Sequence, residues 1–126
     1  MTEENNDKKL IMIVEDNALN LKLFKDVLES LGHDIMYTED GRRVLDMVRW
    51  KKPNLILMDI QLPEISGLEV AGILKTDDNA KAIPIIAITA FAMRGDEEKI
   101  RAAGCDGYLS KPISINQFID TVKKYL

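Results

Sequence analysis

The sequence contains few of the residues that stabilise small secreted domains or bind soft metal ions. One cysteine, Cys105, and one histidine, His33, occur among its 126 residues. A single cysteine excludes an internal disulfide, and these two residues alone do not supply the ligands of a zinc site. We therefore expect Cys105 to be a small buried hydrophobic residue and His33 to lie at the surface. Such sparing use of cysteine is typical of proteins from a reducing cytoplasm.

Long apolar runs and an excess of positive charge are also missing. No run approaches the ~18 apolar residues that indicate a membrane-spanning helix. The polar, acidic start of the chain, from Met1 to Lys9, is unlike a signal peptide. The formal net charge of -4 and the isoelectric point near 5.0 disfavour the extended basic surface of a nucleic-acid-binding protein. We expect a soluble cytoplasmic protein with no membrane segment and no nucleic-acid partner.

What the sequence does contain is an alternation of short apolar runs with amphipathic helical stretches. With 126 residues, 46% of them hydrophobic, the chain fits one domain with a substantial core. Repeated strand and helix units of this kind predict a parallel sheet covered by helices. The apolar runs predict five strands: Leu10–Val14, Ile35–Thr38, Leu55–Asp59, Ile85–Ile88 and Gly107–Leu109. A helix is predicted after each strand.

Capping residues and apolar periodicity give the details of the predicted helices. Ser66 with Glu69, and Ser114 with Gln117, have the spacing of capping boxes at helix N-termini. Trp50 lies near a helix end among basic residues, and we expect it to be half-buried. Among the side chains that the helical periodicity predicts to face the core are Leu31, Ile73 and Ile115.

Polar residues follow four of the predicted strands. Glu15 and Asp16 follow the first strand, and Asp59 ends the third. Thr89 follows the fourth strand, and Lys111 comes just after the fifth. The carboxyl ends of parallel strands meet at one edge of a sheet, where ligands bind, so we expect these side chains to converge. Three carboxylates would repel each other unless a hard divalent cation, Mg²⁺ by preference, lies between them. Lys111 and Thr89 would then donate to an anionic group, which indicates a phosphoryl-transfer site.

Four motifs stand at these strand ends in a fixed order. They are Val14-Glu15-Asp16-Asn17, Met58-Asp59 with Leu62-Pro63 and Gly67, Thr89-Ala90, and Lys111-Pro112. Together they resemble the receiver domains of two-component response regulators, and in particular the single-domain members that control cell division. The resemblance implies an α/β, flavodoxin-like (CheY-like) three-layer αβα sandwich, with a five-stranded parallel sheet of order 2-1-3-4-5 and five helices. Residues 1–8 would be a short polar N-terminal arm and residues 9–126 the receiver domain.

The resemblance also implies a role for each motif residue. Asp59 would be the phosphoacceptor, and its phosphoryl group would come from a phosphohistidine of a partner kinase or phosphotransfer domain. Mg²⁺, or Mn²⁺ as a substitute, would be bound by the side chains of Asp16 and Asp59, by the backbone carbonyl of Gln61 and by Glu15 through a water. The phosphoryl oxygens would be held by Thr89, Ala90 and Lys111. Thr89 and Tyr108 would form the switch, and Lys111-Pro112 would be a cis peptide.

A docking surface is predicted from the first helix. At 100° per residue, Leu19 and Leu23 point toward solvent with Lys22, beside the predicted active site. Single exposed leucines are ordinary, but two of them one turn apart also fit a contact with the helix that carries a kinase histidine. Phe91 and Tyr108 are further candidates for partner contact. For Phe91, core packing explains the residue equally well.

The motifs predict a stand-alone response regulator of a phosphorelay, in cell-cycle or division control, that switches its contacts with a downstream protein. We expect a phosphoacceptor and not a turnover enzyme. Two alternatives remain: an aspartate-nucleophile phosphatase, and an interaction module or flavodoxin-like cofactor binder that works without phosphorylation. A phosphatase would need a second acid near the nucleophile to act as a general acid or base, whereas position 61 is glutamine. Asp59 considered alone could also begin a turn toward Pro63.

Overall fold

The computed structural model describes residues 8–90 and 94–126, without the side chains of residues 94–96. Five parallel strands form one sheet in the order β2-β1-β3-β4-β5, which confirms the predicted flavodoxin-like topology. The strands are β1 (Leu10–Val14), β2 (Asp34–Thr38), β3 (Leu55–Asp59), β4 (Ile85–Thr89) and β5 (Gly107–Ser110). The predictions for Phe91 and for residues 1–7 of the N-terminal arm lie outside the described residues.

Five α-helices, as predicted, connect or follow the strands in the described part of the chain. They are α1 (Ala18–Ser30), α2 (Val44–Trp50, after a 3-10 turn at Gly41–Arg43), α3 (Gly67–Thr76), α4 (Arg94–Ala102) and α5 (Ile115–Tyr125). Ser114 caps α5 by accepting the Gln117 amide at 3.4 Å. At α3, Ser66 instead accepts the Leu68 amide at 3.0 Å, so the bond from the Glu69 amide that defines a capping box is replaced by one a residue earlier. Within the described ranges, the helices are too short or too polar to cross a bilayer.

Each face of the sheet has its own hydrophobic core. Alternate residues of β1 point to opposite faces, so Ile13 belongs to one core and Met12 to the other. The core with Met12 is closed by α2, α3 and α4, and the core with Ile13 by α1 and α5. In the second core, Phe24 of α1 stacks on Phe118 of α5 with ring centroids 5.0 Å apart. Because each such ring contributes roughly 1.5–3 kcal/mol on burial, this pair is a principal link between the two helices.

The predictions for the conspicuous single residues have different outcomes. Cys105 is buried, as predicted, and burial raises the pKa of its thiol to about 11. His33 is half-buried, because its Nδ1 accepts the Lys9 amide at 3.1 Å at the start of the sheet. The prediction for Trp50 is wrong, since its side chain is 79% exposed. Val44 and Val48 fill the inward side of α2, and Trp50, two residues further on, points away from the sheet.

The core positions predicted for Leu31, Ile73 and Ile115 are also wrong, because all three side chains are exposed. Leu31 is the residue that follows the last turn of α1, so the helical period no longer fixes its direction. At the other two positions, neighbouring residues of the same helix already occupy the inward face. In α3 these are Val70, Ala71 and Leu74, and in α5 Phe118 and Val122.

Candidate active site at the carboxyl edge of the sheet

The ends of four strands bring the predicted site residues to one edge of the sheet. Glu15 and Asp16 follow β1, Asp59 is the last residue of β3, Thr89 is the last residue of β4, and Lys111 follows β5. Carboxylate oxygens of Glu15, Asp16 and Asp59 lie within 4.8 Å of one another. The short strands and the parallel register produce this convergence, because each site residue stands at the same end of its strand.

Asp59 is held in one orientation by hydrogen bonds to both carboxylate oxygens. Oδ2 accepts the ammonium group of Lys111 at 2.8 Å, and Oδ1 accepts the backbone amide of Gln61 at 2.8 Å. The side chain is only 2% exposed, since β3 is the central strand and is covered on both faces. Burying a carboxylate is costly without hydrogen bonds and an opposite charge, and the Gln61 amide and Lys111 provide them here.

Lys111 remains protonated in this setting. Burial alone would lower the pKa of its ammonium group, but the hydrogen bond to Asp59 and the negative charge of Glu15 raise the pKa above its ordinary value. The backbone amide of Lys111 donates to the Thr89 carbonyl at 2.7 Å and so fixes the residue beside β4. The peptide bond from Lys111 to Pro112 is cis, as predicted.

Glu15 is the least satisfied group of the site. Its Oε2 accepts the amide of Asn17 at 3.1 Å, but its Oε1 is buried and has no hydrogen-bond partner among the described residues. Lys111 Nζ lies 3.4 Å from Oε1, which is an ion-pair distance without the alignment of a hydrogen bond. Burial, and after it the hydrogen bond with Asp59, raises the pKa of Glu15 to about 7. A further cation or a water is the partner that this oxygen lacks.

The three acids form a group that can hold a metal ion. Glu15 and Asp59 are buried, whereas Asp16 is exposed and gives the group access to solvent. All the available ligand atoms are oxygens, which is the donor set that hard divalent cations prefer. Together with the partnerless oxygen of Glu15, this donor set fits the predicted cation. Gln61 lies next to Asp59 through its amide, and its carbonyl remains a predicted ligand.

The predicted switch residues lie on the neighbouring strands. Thr89 is fully buried at the end of β4, and Ala90 follows it at the exposed rim of the site. Tyr108 of β5 is half-buried and packs against the core with α2, α3 and α4. Its hydroxyl forms a hydrogen bond with Glu97 of α4, which raises the pKa of Tyr108. Thr89 thus stands at the site edge, and Tyr108 contacts α4 through Glu97.

Gly67 is a site-supporting residue whose role the sequence did not reveal. Its amide donates to the Ile60 carbonyl at 3.1 Å, which draws the start of α3 against the end of β3. A Cβ atom at Gly67 would lie 2.5 Å from the carbonyl oxygen of Asp59 and 2.6 Å from Cα of Ile60. Both neighbours are backbone atoms, so only glycine permits this approach. The motif contains the glycine, but nothing in the sequence shows what it touches.

The first helix begins directly beside the site. Asn17 caps α1 by accepting the Asn20 amide at 3.0 Å, and its own amide binds Glu15. As predicted, Leu19 and Leu23 point to solvent, with exposed fractions of 80% and 39%. Lys22 pairs with Asp26 at 2.7 Å, so its charge is partly neutralised on the helix surface. The sequence did not predict the hydrogen bond from the Asn17 amide to Glu15, because every residue except proline has a backbone N–H and residue types do not show which one donates.

Comparison with known protein families gives a consistent result. Residues 11–123 match the family model described as response regulator receiver domain. The chain is 58% identical over 118 residues to the polar-differentiation response regulator DivK of Brucella anthropi, covering 94% of this chain and 96% of that protein. The DivK protein of Brucella ovis shows the same identity and coverage.

Solved structures with the same fold include receiver domains from other systems. One is the receiver domain of the sensor histidine kinase PA1611 from Pseudomonas aeruginosa, with a magnesium ion in its active-site cleft. Its TM-score is 0.86 at 30% identity, covering 94% of this chain and 97% of that one. The receiver domain of Ssk1 from Saccharomyces cerevisiae, in complex with the histidine phosphotransfer protein Ypd1, has a TM-score of 0.85 at 25% identity and covers 94% and 88%. The Mn²⁺-bound response regulator Rcp1 has a TM-score of 0.78 at 26% identity and covers 92% and 90%.

Proposed function

Because the chain belongs to the family of response regulator receiver domains, we propose that residues 9–126 are a phosphorylatable switch with Asp59 as the phosphoacceptor. The setting of Asp59 carries the proposal. This carboxylate is buried at the end of the central strand, accepts a hydrogen bond from Lys111 at 2.8 Å, and lies within 4.8 Å of two further acids. Both of its carboxylate oxygens accept a hydrogen bond, whereas Oε1 of Glu15 accepts none among the described residues.

The proposed cation is Mg²⁺, with Mn²⁺ as a substitute. Asp16 and Asp59 would bind it through their side chains, Gln61 through its carbonyl and Glu15 through a water. The cation supplies positive charge that offsets the repulsion between these carboxylates and an incoming phosphoryl group. The buried Oε1 of Glu15, which has no hydrogen-bond partner among the described residues, supports this assignment. So do the magnesium ion in the PA1611 receiver domain and the manganese ion bound to Rcp1.

In the proposed reaction, one carboxylate oxygen of Asp59 attacks the phosphorus atom of a phosphohistidine. An oxygen–phosphorus bond forms as the phosphorus–nitrogen bond breaks, and the imidazole leaves with the electron pair and then takes up a proton. Lys111, the Thr89 hydroxyl and the Ala90 amide hold the phosphoryl oxygens. Since Lys111 and the Gln61 amide already orient Asp59, little reorganisation is needed before attack.

The proposed partners are proteins. The phosphoryl donor would be the histidine-bearing domain of a kinase, phosphatase or phosphotransfer protein. The complex of the histidine phosphotransfer protein Ypd1 with the receiver domain of its downstream response regulator Ssk1 supports a partner of this kind. A downstream effector would recognise the surface that Thr89 and Tyr108 change. We place the protein in the cytoplasm, and the similarity to DivK proteins supports a role in cell-cycle control.

Phosphotransfer tests this function directly. The full chain is incubated with Mg²⁺ and a phosphorylated histidine-kinase domain, and intact mass spectrometry follows the products. We expect the kinase domain to lose its phosphoryl group and the chain to gain one. Steady release of phosphate from small phosphoesters would support the phosphatase alternative instead, and failure to bind Mg²⁺ would support an interaction module.

The first switching prediction concerns Thr89→Ala. The variant should still accept a phosphoryl group on Asp59, because Lys111 and the Ala90 amide remain, but it should signal poorly. Without the hydroxyl, the phosphoryl group loses the contact that would draw β4 inward and give Tyr108 room. Amide NMR spectra before and after phosphorylation measure the response. We expect shifts in α4 and β5 to be large in the wild type and small in Thr89→Ala.

Thr38→Ala is the matched control for this experiment, since Thr38 is a buried threonine at the end of β2, away from the phosphoacceptor. The control should keep the wild-type shifts in α4 and β5. If Thr89→Ala shows those shifts undiminished, the two residues do not couple as proposed.

The second prediction concerns docking of the kinase on α1. Leu19→Ala and Leu23→Ala should each slow phosphotransfer from the kinase and cost about 1 to 2 kcal/mol of binding free energy, as truncated interface contacts do. Their stability should change little, because both leucines point to solvent. Phosphotransfer rates at several kinase concentrations measure the effect, and acetyl phosphate should label Asp59 at the normal rate.

Leu31→Ala is the matched control, because Leu31 follows α1 at its far end and is 38% exposed, close to the 39% of Leu23. This control should leave kinase-driven transfer unchanged. The α1 docking surface would be ruled out if Leu19→Ala, Leu23→Ala and Leu31→Ala accepted the phosphoryl group from the kinase at equal rates. It would also be ruled out if Leu19→Ala and Leu23→Ala were labelled slowly by both the kinase and acetyl phosphate.

A further inference from the structure

Trp50 is the most unusual exposed residue in the structure. It is the only tryptophan of the sequence, and 79% of its side chain is exposed at the end of α2. Tryptophan is highly buried on average, and it is enriched in the contact surfaces of proteins. One exposed ring alone carries no conclusion, so its surroundings decide what it does.

Trp50 belongs to a stripe on the outer side of α2. Arg43, Met47 and Trp50 recur at spacings of four and three residues, which places them on one side of the helix. Together with Asp46 they line an open groove of about 360 Å³. Val44 and Val48 face the core and Met47 is partly buried against it, so Arg43 and the Trp50 ring are the exposed parts of the stripe that can contact another molecule.

The charge around this stripe is opposite to that of the whole chain. Residues 42–52 contain five basic residues and one acidic residue, whereas the chain has a formal net charge of -4. Arg42 pairs with Asp40, and Arg49 pairs with Asp77. The three other basic residues form no ion pair among the described residues: Arg43, Lys51 and Lys52. Three cations are therefore available to a partner.

We propose that this surface, the Trp50 face, is a docking site for an acidic segment of another protein. The Trp50 face consists of Arg43, Asp46, Met47, Trp50, Lys51 and Lys52. Carboxylates of the segment would pair with the three available cations. An apolar side chain of the segment would enter the groove beside Met47 and Trp50.

Charge complementarity favours an acidic protein segment over a second copy of this chain, a lipid or a nucleic acid. A second copy docked through the same face would bring two sets of cations together, which costs binding free energy. The carboxylate of Asp46 lines the groove, so a phosphate of a lipid or a nucleic acid would be repelled where a neutral side chain would fit. An acidic peptide that is apolar at one position satisfies both the cations and the groove.

The Trp50 face is separate from the phosphoryl site. The chain leaves α2 at Trp50 and enters β3 at Leu55, whereas Asp59 is the last residue of β3. The part of the face formed by Trp50, Lys51 and Lys52 therefore lies toward the edge where the strands begin, and Arg43 lies at the other end of α2. The docking leucines of α1 lie on the other side of the sheet. Binding at the Trp50 face thus needs no phosphorylation, and its test is independent of the proposed function.

A displayed library of random peptides, selected on the immobilised, unphosphorylated chain and counter-selected on Trp50→Ala, tests this proposal. We expect the recovered peptides to be acidic and to share one aliphatic or aromatic position. A synthetic copy should shift the emission of Trp50 to shorter wavelength, because the ring becomes covered. Trp50→Ala, and separately the pair Lys51→Glu and Lys52→Glu, should each weaken binding at least about tenfold, as loss of central contacts does.

Tyr37→Ala is the matched control, since Tyr37 is an exposed aromatic residue of β2 that pairs with Ile13 and faces the opposite side of the sheet. It should bind the peptides as the wild type does, and thermal melting should show that all variants are folded. The proposal is overturned if no peptide depends on Trp50, or if the selected peptides are neutral or basic. It is also overturned if vesicles of phosphatidylethanolamine and phosphatidylglycerol shift the Trp50 emission and the acidic peptides do not.

Discussion

Asp59→Asn is expected to reduce phosphorylation of the chain to background. The amide of asparagine does not form an acyl phosphate, and Asp59 is the acid that hydrogen bonds from Lys111 and the Gln61 amide hold at both carboxylate oxygens. The change replaces one oxygen by a group of similar size, so no cavity opens in the core. Intact mass after incubation with a phosphorylated kinase domain, and separately with acetyl phosphate, measures the loss.

The fold of Asp59→Asn should remain intact. Asp59 raises the pKa of the buried Glu15, so removal of its negative charge relieves repulsion between the two acids. We expect the free energy of unfolding to be equal to that of the wild type or higher. Asp78→Asn, a change of the same chemistry at a highly exposed carboxylate, should be phosphorylated normally. Labelled phosphate on the substituted side chain of Asp59→Asn, or on a neighbouring acid at the wild-type rate, would remove Asp59 from its role.

Gly67→Ala is expected to lower the free energy of unfolding by about 3 kcal/mol, at the upper end of the usual cost of overpacking. The new Cβ atom would lie 2.5 Å from the Asp59 carbonyl oxygen, and the neighbouring atoms are backbone that no change of rotamer moves aside. Either α3 or the end of β3 must shift, and Asp59 shifts with the latter. Urea unfolding measures the stability, and the rate of labelling by acetyl phosphate measures the displacement of the site.

Gly72→Ala provides the matched control in the same helix. A Cβ atom at Gly72 meets nothing within 4 Å, so alanine should raise the stability by about 0.5 to 1 kcal/mol through its better helix propensity. The opposite signs of the two effects separate close backbone approach from helix propensity. If both variants unfold at the same urea concentration, the approach of Gly67 to β3 is not a constraint.

Much of the fold follows from local patterns in the sequence. The strands are short apolar runs between turn residues, and their ends carry the polar residues of the site, so both could be predicted from residue types. The strand order 2-1-3-4-5 depends on contacts between distant segments, and only resemblance to a known family supplied it. The parallel arrangement then placed Asp59 and Lys111, which are 52 residues apart, at the same edge of the sheet.

The missed features depend on atoms that residue types do not reveal. The partnerless oxygen of Glu15 results from the direction of one buried side chain, and the contact of Gly67 results from the approach of two backbone segments. Trp50 was misplaced because α2 has only seven residues, so a change of two positions carries a side chain from the core to the solvent. In longer helices, repeated apolar positions define the buried face more securely.

The two separate cores allow the faces of the molecule to diverge independently. Val48 packs in the layer of α2, and Phe118 packs with Phe24 in the layer of α1 and α5. Substitutions that share no contact have additive effects on the free energy of unfolding. A substitution in one layer therefore does not change the effect of a substitution in the other. Selection can hold the α1 layer constant for one signalling partner while the α2 layer accumulates new surfaces. Related chains can thus gain new downstream partners and still accept the phosphoryl group from the same donor.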